Sequence, residues 1–142
     1  MNGANRRKYG DIKALEIAAN AGADSVDLDL CTDINDYRNK DSLYSKGFEA
    51  TAEYYTAVKK RADELGIVIG QTHGKIKGFV NNKAEDDALV KNSEYDCFAT
   101  AILGAGVCVV HNATSIFLGP DPEPALMHHL SFDMFSRIIP FA

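Results

Sequence analysis

The chain has 142 residues, 46% of them apolar and 25% charged. That composition suits one ordinary globular domain, disfavours a disordered or low-complexity chain, and is too short for a complete (β/α)8 barrel of roughly 250 residues. With 15 Lys and Arg against 20 Asp and Glu the formal charge is −5, which gives no support to a broad nucleic-acid or anionic-membrane surface.

Residues 1–10, MNGANRRKYG, are basic with no apolar run behind them, so they predict a flexible lead and not a signal peptide. A helix is predicted over 11–21, with Ile12, Leu15 and Ala19 on one face and Gly22 as its left-handed stop. The strand 25–30 follows. There Val26, Leu28 and Leu30 share one face and Asp27 and Asp29 the other. Two carboxylates on one strand face suit a solvated sheet surface or a polar barrel interior, where coupling can raise a pKa for acid–base work. A second helix is predicted over 48–65, since Phe48, Ala52, Tyr55, Val58, Ala62 and Leu65 recur at steps of three and four. Gly66 ends it, and the strand 67–72 begins at once. A third helix, over 86–103, has an inner face predicted from Val90, Cys97, Ala101 and Ile102, ends at Gly104 and Gly106, and leads into the strand 107–110. A fourth starts with Asp121 as cap and Pro122 in its first turn, and stops before Pro140.

The stopping glycines Gly22, Gly66 and Gly106 recur about every 40 residues. Helix–strand units of that length give parallel strands joined by right-handed helical crossovers, so the fold class is α/β. The helix-to-strand turns are tight, whereas the strand-to-helix loops at 31–47, 73–85 and 112–121 are long. In parallel α/β folds such loops gather at the carboxyl ends of the strands, where function resides.

Two histidines end strands: His73 after Ile67-Val-Ile-Gly-Gln-Thr, and His111 after Val107-Cys-Val-Val. Alternation groups Ile67, Ile69, Gln71 and His73 on one face, and Val107, Val109 and His111 on another. Strands about 4.8 Å apart would bring both imidazoles to one metal or one substrate oxygen. Two histidines are an incomplete metal site, which takes three or more ligands; a plain hydrogen-bonded pair at strand ends is the alternative. Lys75 and Lys77, bracketed by Gly74 and Gly78, read as solvated lysines more readily than as a phosphate cradle. Gly104-Ala-Gly106 precedes its strand, the wrong context for a dinucleotide fingerprint. His128-His129 cannot place both rings on one helix face. Cys31, Cys97 and Cys108 form no CxxC pair, which argues against a disulfide framework or a structural zinc site and for a reducing cytoplasm. The most apolar stretch, 101–110, is too short to span a bilayer.

Several segments taken together resemble the xylose-isomerase-like barrel family of sugar phosphate isomerases and epimerases, to which apurinic endonucleases are more distantly related. AANAGADSVDLDL resembles its first-helix and second-strand segment, ADELGIVIGQTHGK its third-strand segment, AILGAGVCVVHN its fourth-strand segment, and SFDMFSRIIPFA the fourth helix. The resemblance implies part of a (β/α)8 barrel, about strands 2–4 with helices 1–4. It places the second-strand acid on Asp27, where Glu is usual, and the strand-end histidines on His73 and His111. Gly-Lys after His73 departs from the more usual Ala-Pro.

The implied activity is isomerisation or epimerisation of a sugar or sugar phosphate by metal-assisted proton transfer next to a carbonyl. His73, His111, Asp27 and Gln71 would line the substrate pocket, with His73 and His111 as a partial metal site for Mn, Co, Mg or Zn. The family's remaining ligands and its acid–base pair come from strands five to eight, so the expectation is a chain inactive alone and without a tightly held metal. It would self-associate through exposed sheet edges and bind neither nucleic acid nor membrane. Two alternatives stand beside this one: an apurinic-endonuclease-like metal-dependent phosphoesterase, and a non-catalytic open-sheet binding module.

Overall fold

A computed structural model of the chain describes the backbone of residues 3–142 and the side chains from residue 6 onward; the first two residues of the predicted flexible lead lie outside the described residues. Three strands, β1 (Ser25–Asp29), β2 (Val68–His73) and β3 (Cys108–Val109), form one open parallel sheet in the order β1-β2-β3. The α-helices among the described residues are α1 (Gly3–Tyr9), α2 (Asp11–Asn20), α3 (Phe48–Glu64), α4 (Lys83–Leu103), α5 (Ser115–Leu118) and α6 (Pro124–Ile138). The class is α/β. Among the described residues no helix is long and apolar enough to cross a membrane.

Where the sequence predicts a flexible lead, Gly3–Tyr9 is helical. Its anchor is electrostatic, which an apolar pattern does not reveal. Buried Arg6 holds buried Asp11 through Nε and, at 2.7 Å, through Nη2. The Tyr54 hydroxyl donates to the same carboxylate at 3.1 Å. Drawing Asp11 inward also turns α2: Ala14 and Leu15 are buried, whereas Ile12 faces outward.

The α3 stripe packs through Tyr55, Val58 and Ala62, which are fully buried, whereas Ala52 and Leu65 are half-buried and Phe48 is exposed. α4 differs more. It begins three residues earlier than predicted because Asn82 caps it, its side chain accepting from the backbone N–H groups of Ala84 and Glu85 at 3.1 and 3.3 Å. Asp86, predicted to open the helix, reaches back to the N–H groups of Val80 and Asn82. The buried positions of α4 are Asp86, Leu89, Asn92, Ser93, Tyr95, Asp96, Ala99, Thr100 and Leu103; of the predicted face, Val90, Cys97 and Ile102 are partly buried at its flank and Ala101 is exposed. The buried polar groups are tolerated because they are bonded. Asn92 accepts from the Tyr37 N–H at 2.7 Å, Asp96 accepts from the Tyr44 hydroxyl at 2.6 Å, and Thr100 bonds Thr72 at 2.6 Å. Gly104, in the left-handed region at φ 69°, caps α4; Gly106 does not. α6 starts at Pro124 in place of Pro122 and buries Leu130, Met134 and Ile138 at steps of four.

One face of the sheet meets the helices. Val26, Leu28, Leu30, Ile67 and Ile69 pack there with Leu15, Tyr55, Val58, Ala62, Ala99 and Leu103, each large apolar side chain contributing about 1.5–3 kcal/mol by its burial. A second cluster joins Phe79, Leu89 and Ala113 to α6. The other sheet face is open, and Val68 is 63% exposed on it.

The face of β2 differs from the one that strict alternation predicts. Val26 pairs with Ile69 but Asp27 pairs with Gln71, so Gly70 is an extra residue in β2, a bulge in a parallel ladder. The inward phase therefore switches from odd to even positions. Ile67 and Ile69 are buried, then Thr72; Gln71 and His73 lie on the opposite, open face.

Candidate site at the carboxyl ends of the strands

Register brings four polar side chains together on the open face. Asp27 stands opposite Gln71 and Asp29 opposite His73. Paired residues of parallel strands point the same way, and β1 turns Val26 and Leu28 into the core, leaving both carboxylates outward. β3 follows with Val109 opposite His73, and two residues on His111 comes to the same side.

The contacts form a chain across the strand ends. Gln71 Nε2 donates to Asp27 Oδ2 at 2.8 Å. The same oxygen lies 3.8 Å from His73 Nδ1, an electrostatic contact too long for a hydrogen bond. His73 Nε2 and His111 Nε2 are 2.6 Å apart, with ring centroids at 4.8 Å and planes at 27°. Two imidazole nitrogens this close share one proton, one ring donating and the other accepting. Burial first, and electrostatic interaction with His73 second, lower the pKa of His111. Asp29 Oδ1 accepts from the Cys31 N–H at 2.8 Å, tying the start of the β1–α3 loop. An open cleft of about 250 Å³ is lined by Asp27, Asp29, His73 and Ile76.

The donor set fits one end of a metal site. The two Nε2 atoms lie 2.6 Å apart, and imidazole nitrogens 2.0–2.1 Å from a tetrahedral ion sit about 3.4 Å apart. The pair would open by less than about 1 Å, within the reach of side-chain rotation. Among the described residues no three His, Cys, Asp or Glu side chains form a ligand cluster; Asp27 faces the other nitrogen of His73.

Asp96 stands behind this site and has no apolar or spacing signature in the sequence. Buried on α4, it accepts from Tyr44 and from the backbone N–H of Lys75, so it holds the turn that follows His73. The turn closes so tightly that a Cβ on Gly74 would lie 2.8 Å from Asp96 Oδ2. Burial pushes the carboxyl up to about 8 despite the Tyr44 hydrogen bond. Only tertiary structure joins Tyr44 to Asp96, so no local pattern marks the pair.

The weaker candidates are dispersed. Lys75 pairs with Asp36 at 3.1 Å, and Lys77 with Glu85 at 2.6 Å, where Arg38 also binds at 2.7 Å. Both lysines are therefore committed to partners rather than grouped as a phosphate cradle. His128 and His129 are exposed on α6. A roomier cavity of about 480 Å³ near α1 is lined by Arg6, Arg7 and Lys46 but also by Asp11, Asp33 and Asp41, so it favours neither sign of ligand. No protein-family model matches the chain, and no curated protein or solved structure is significantly similar to it.

Proposed function

We propose that the chain is part of a sugar or sugar-phosphate isomerase or epimerase of the xylose-isomerase-like barrel type, with β1, β2 and β3 as the second to fourth barrel strands. The observation that carries this reading is the His73–His111 contact at the strand ends, flanked by Asp27 and Gln71 on a polar sheet face. A barrel interior needs that face, polar at its carboxyl-end rim and opposite the helix layer. His73 and His111 would orient substrate oxygens or hold a divalent Mn, Co, Mg or Zn ion; Asp27 and Gln71 would bind sugar hydroxyls. A divalent ion at the imidazoles supplies Lewis acidity toward a carbonyl oxygen. The cytoplasm is the setting this reading implies.

Turnover is not expected from this chain alone. Proton transfer next to a carbonyl needs a base at the reacting carbon. Asp27 already accepts from Gln71, and the two imidazoles face each other. The test is NMR of the histidine side-chain nitrogens during titration with Zn, Co or Mn, and then with a panel of aldose and ketose phosphates. The resonances of His73 and His111 should move together, while those of His128 and His129 stay. If neither pair responds to metal or sugar, the proposed site is wrong. The proximity of the two Nε2 atoms also suits a metal-dependent phosphoesterase. Zinc binding abolished by His73→Ala, together with phosphodiester cleavage and no response to sugars, would favour that second reading.

A further inference from the structure

Cys97 and Cys108 show no relationship in the sequence, since they lie on different predicted elements with no CxxC spacing. The structure brings them together. Cys108 is on β3, opposite Thr72 and therefore on the helix-facing side. Cys97 is on α4, one residue beyond buried Asp96. Their side chains interact with each other, and both thiols are free and only half-buried. Both line an apolar cavity of about 490 Å³ beside β3, walled on its far side by Phe135, Ile138 and Phe141. A small molecule entering that cavity meets two sulfurs at once.

We propose that Cys97 and Cys108 are a reversible dithiol–disulfide site, entered through this cavity, that exchanges with low-molecular-weight disulfides of the glutathione type.

The surroundings divide the labour between the two sulfurs. The Thr72 and Thr100 hydroxyls, 2.6 Å from each other, both reach Cys108. Hydrogen bonding from Cys97, with these two hydroxyls, lowers the Cys108 pKa against the opposing effect of burial; the same contact raises that of Cys97. Cys108 is the attacking thiolate and Cys97 the resolving thiol. In the first step the Cys108 sulfur attacks one sulfur of the small disulfide, the bond between its two sulfurs breaks, and one thiolate leaves to take a proton from water. In the second, Cys97 loses its proton to water and attacks the Cys108 sulfur of the mixed disulfide. The Cys97–Cys108 bond forms, and the second small thiolate departs and is protonated. Two cysteine thiols are oxidised and one small disulfide is reduced to two thiols; an excess of small thiol runs both steps backward.

The test equilibrates the full chain with mixtures of oxidised and reduced glutathione, quenches with acid, alkylates, and maps the peptides by mass spectrometry. The expected result is a wild-type chain lighter by two hydrogens, with Cys97 linked to Cys108, Cys31 alkylated, and full reversal by reduced glutathione. Cys97→Ser should accumulate one glutathione on Cys108, whereas Cys108→Ser should leave Cys97 alkylated. Circular dichroism checks the fold of the variants, and the wild-type map stands by itself if either misfolds. An absence of the internal link in the wild-type chain, or glutathione spread evenly over all three cysteines, overturns the proposal.

Discussion

Asp96 is a carboxylic acid kept inside the protein by a single hydroxyl and a backbone N–H, and its ionisation is coupled to folding. Its ordinary value of 3.8 applies when the chain is unfolded, and about 8 when it is folded. Between those values the unfolded chain has released the proton while the native chain retains it. Rising pH therefore disfavours folding by about 1.4 kcal/mol per unit, levelling off above about 8. Asp96→Asn removes this dependence. The difference in Tm between the variant and the parent should move in the variant's favour as pH is raised from 4 to 8. A constant difference would show that Asp96 is ionised in the native state. Asn35 gives a second residue-scale prediction. It is fully buried and donates to the Tyr55 hydroxyl at 2.6 Å while accepting from Thr32. Tyr55→Phe leaves the Asn35 amide without that acceptor and should cost about 1–3 kcal/mol in urea unfolding. At this scale strand ends single out His73 and His111, and alternation singles out Asp27; alternation puts His73 on the wrong face, because the Gly70 bulge reverses the phase of β2. Asp96 and Asn35 were not legible, because their partners Tyr44 and Tyr55 are brought to them only by the folded loop and helices.

Among the elements, the middle of the α3 stripe could be read directly because Tyr55, Val58 and Ala62 are apolar; at its start Thr51 is buried and Phe48 is not. The stripe of α4 could not, because its inward positions include Asn92, Asp96 and Thr100, polar groups bonded to the β1–α3 loop and to β2. The long loops are structured by one another. Gly78, in the β2–α4 loop, lies so close to the backbone of the β3–α5 loop that a Cβ would come within 2.4 Å of the Ala113 nitrogen and Cα. Backbone cannot swing aside as a side chain can, so Gly78→Ala should destabilise by about 1–3 kcal/mol, seen as a lower melting temperature. Gly106→Ala is the matched control. Nothing lies within 4 Å of a Cβ there, and its φ is outside the positive range, so the melting temperature should hardly change.

For the whole molecule, the governing fact is that a three-stranded sheet has helices on one side only. β1 and β3 are both edges, and Val68 and Val107 are 63% and 54% exposed. Unpaired edges and uncovered valines favour association. Sedimentation equilibrium should show a mass rising with concentration, and Val68→Lys on the open face should weaken that rise. A single monomer mass across the whole range would favour the open-sheet binding module instead. The Gly70 bulge sets which side chains face that open side. It separates a register in which odd positions of β2 are buried from one in which even positions are. In strict alternation Gln71 and His73 would share the buried phase of Ile67 and Ile69, and the extra residue is what turns them outward. Loss of that one codon in frame leaves Ile69, Gln71, Thr72 and His73 opposite Val26, Asp27, Leu28 and Asp29 with no break in the ladder. The imidazole pair should therefore survive that deletion, whereas loss of Thr72 would turn His73 toward the helices and dismantle it. A single-codon deletion scan should show its mildest loss of folded protein at position 70 of β2.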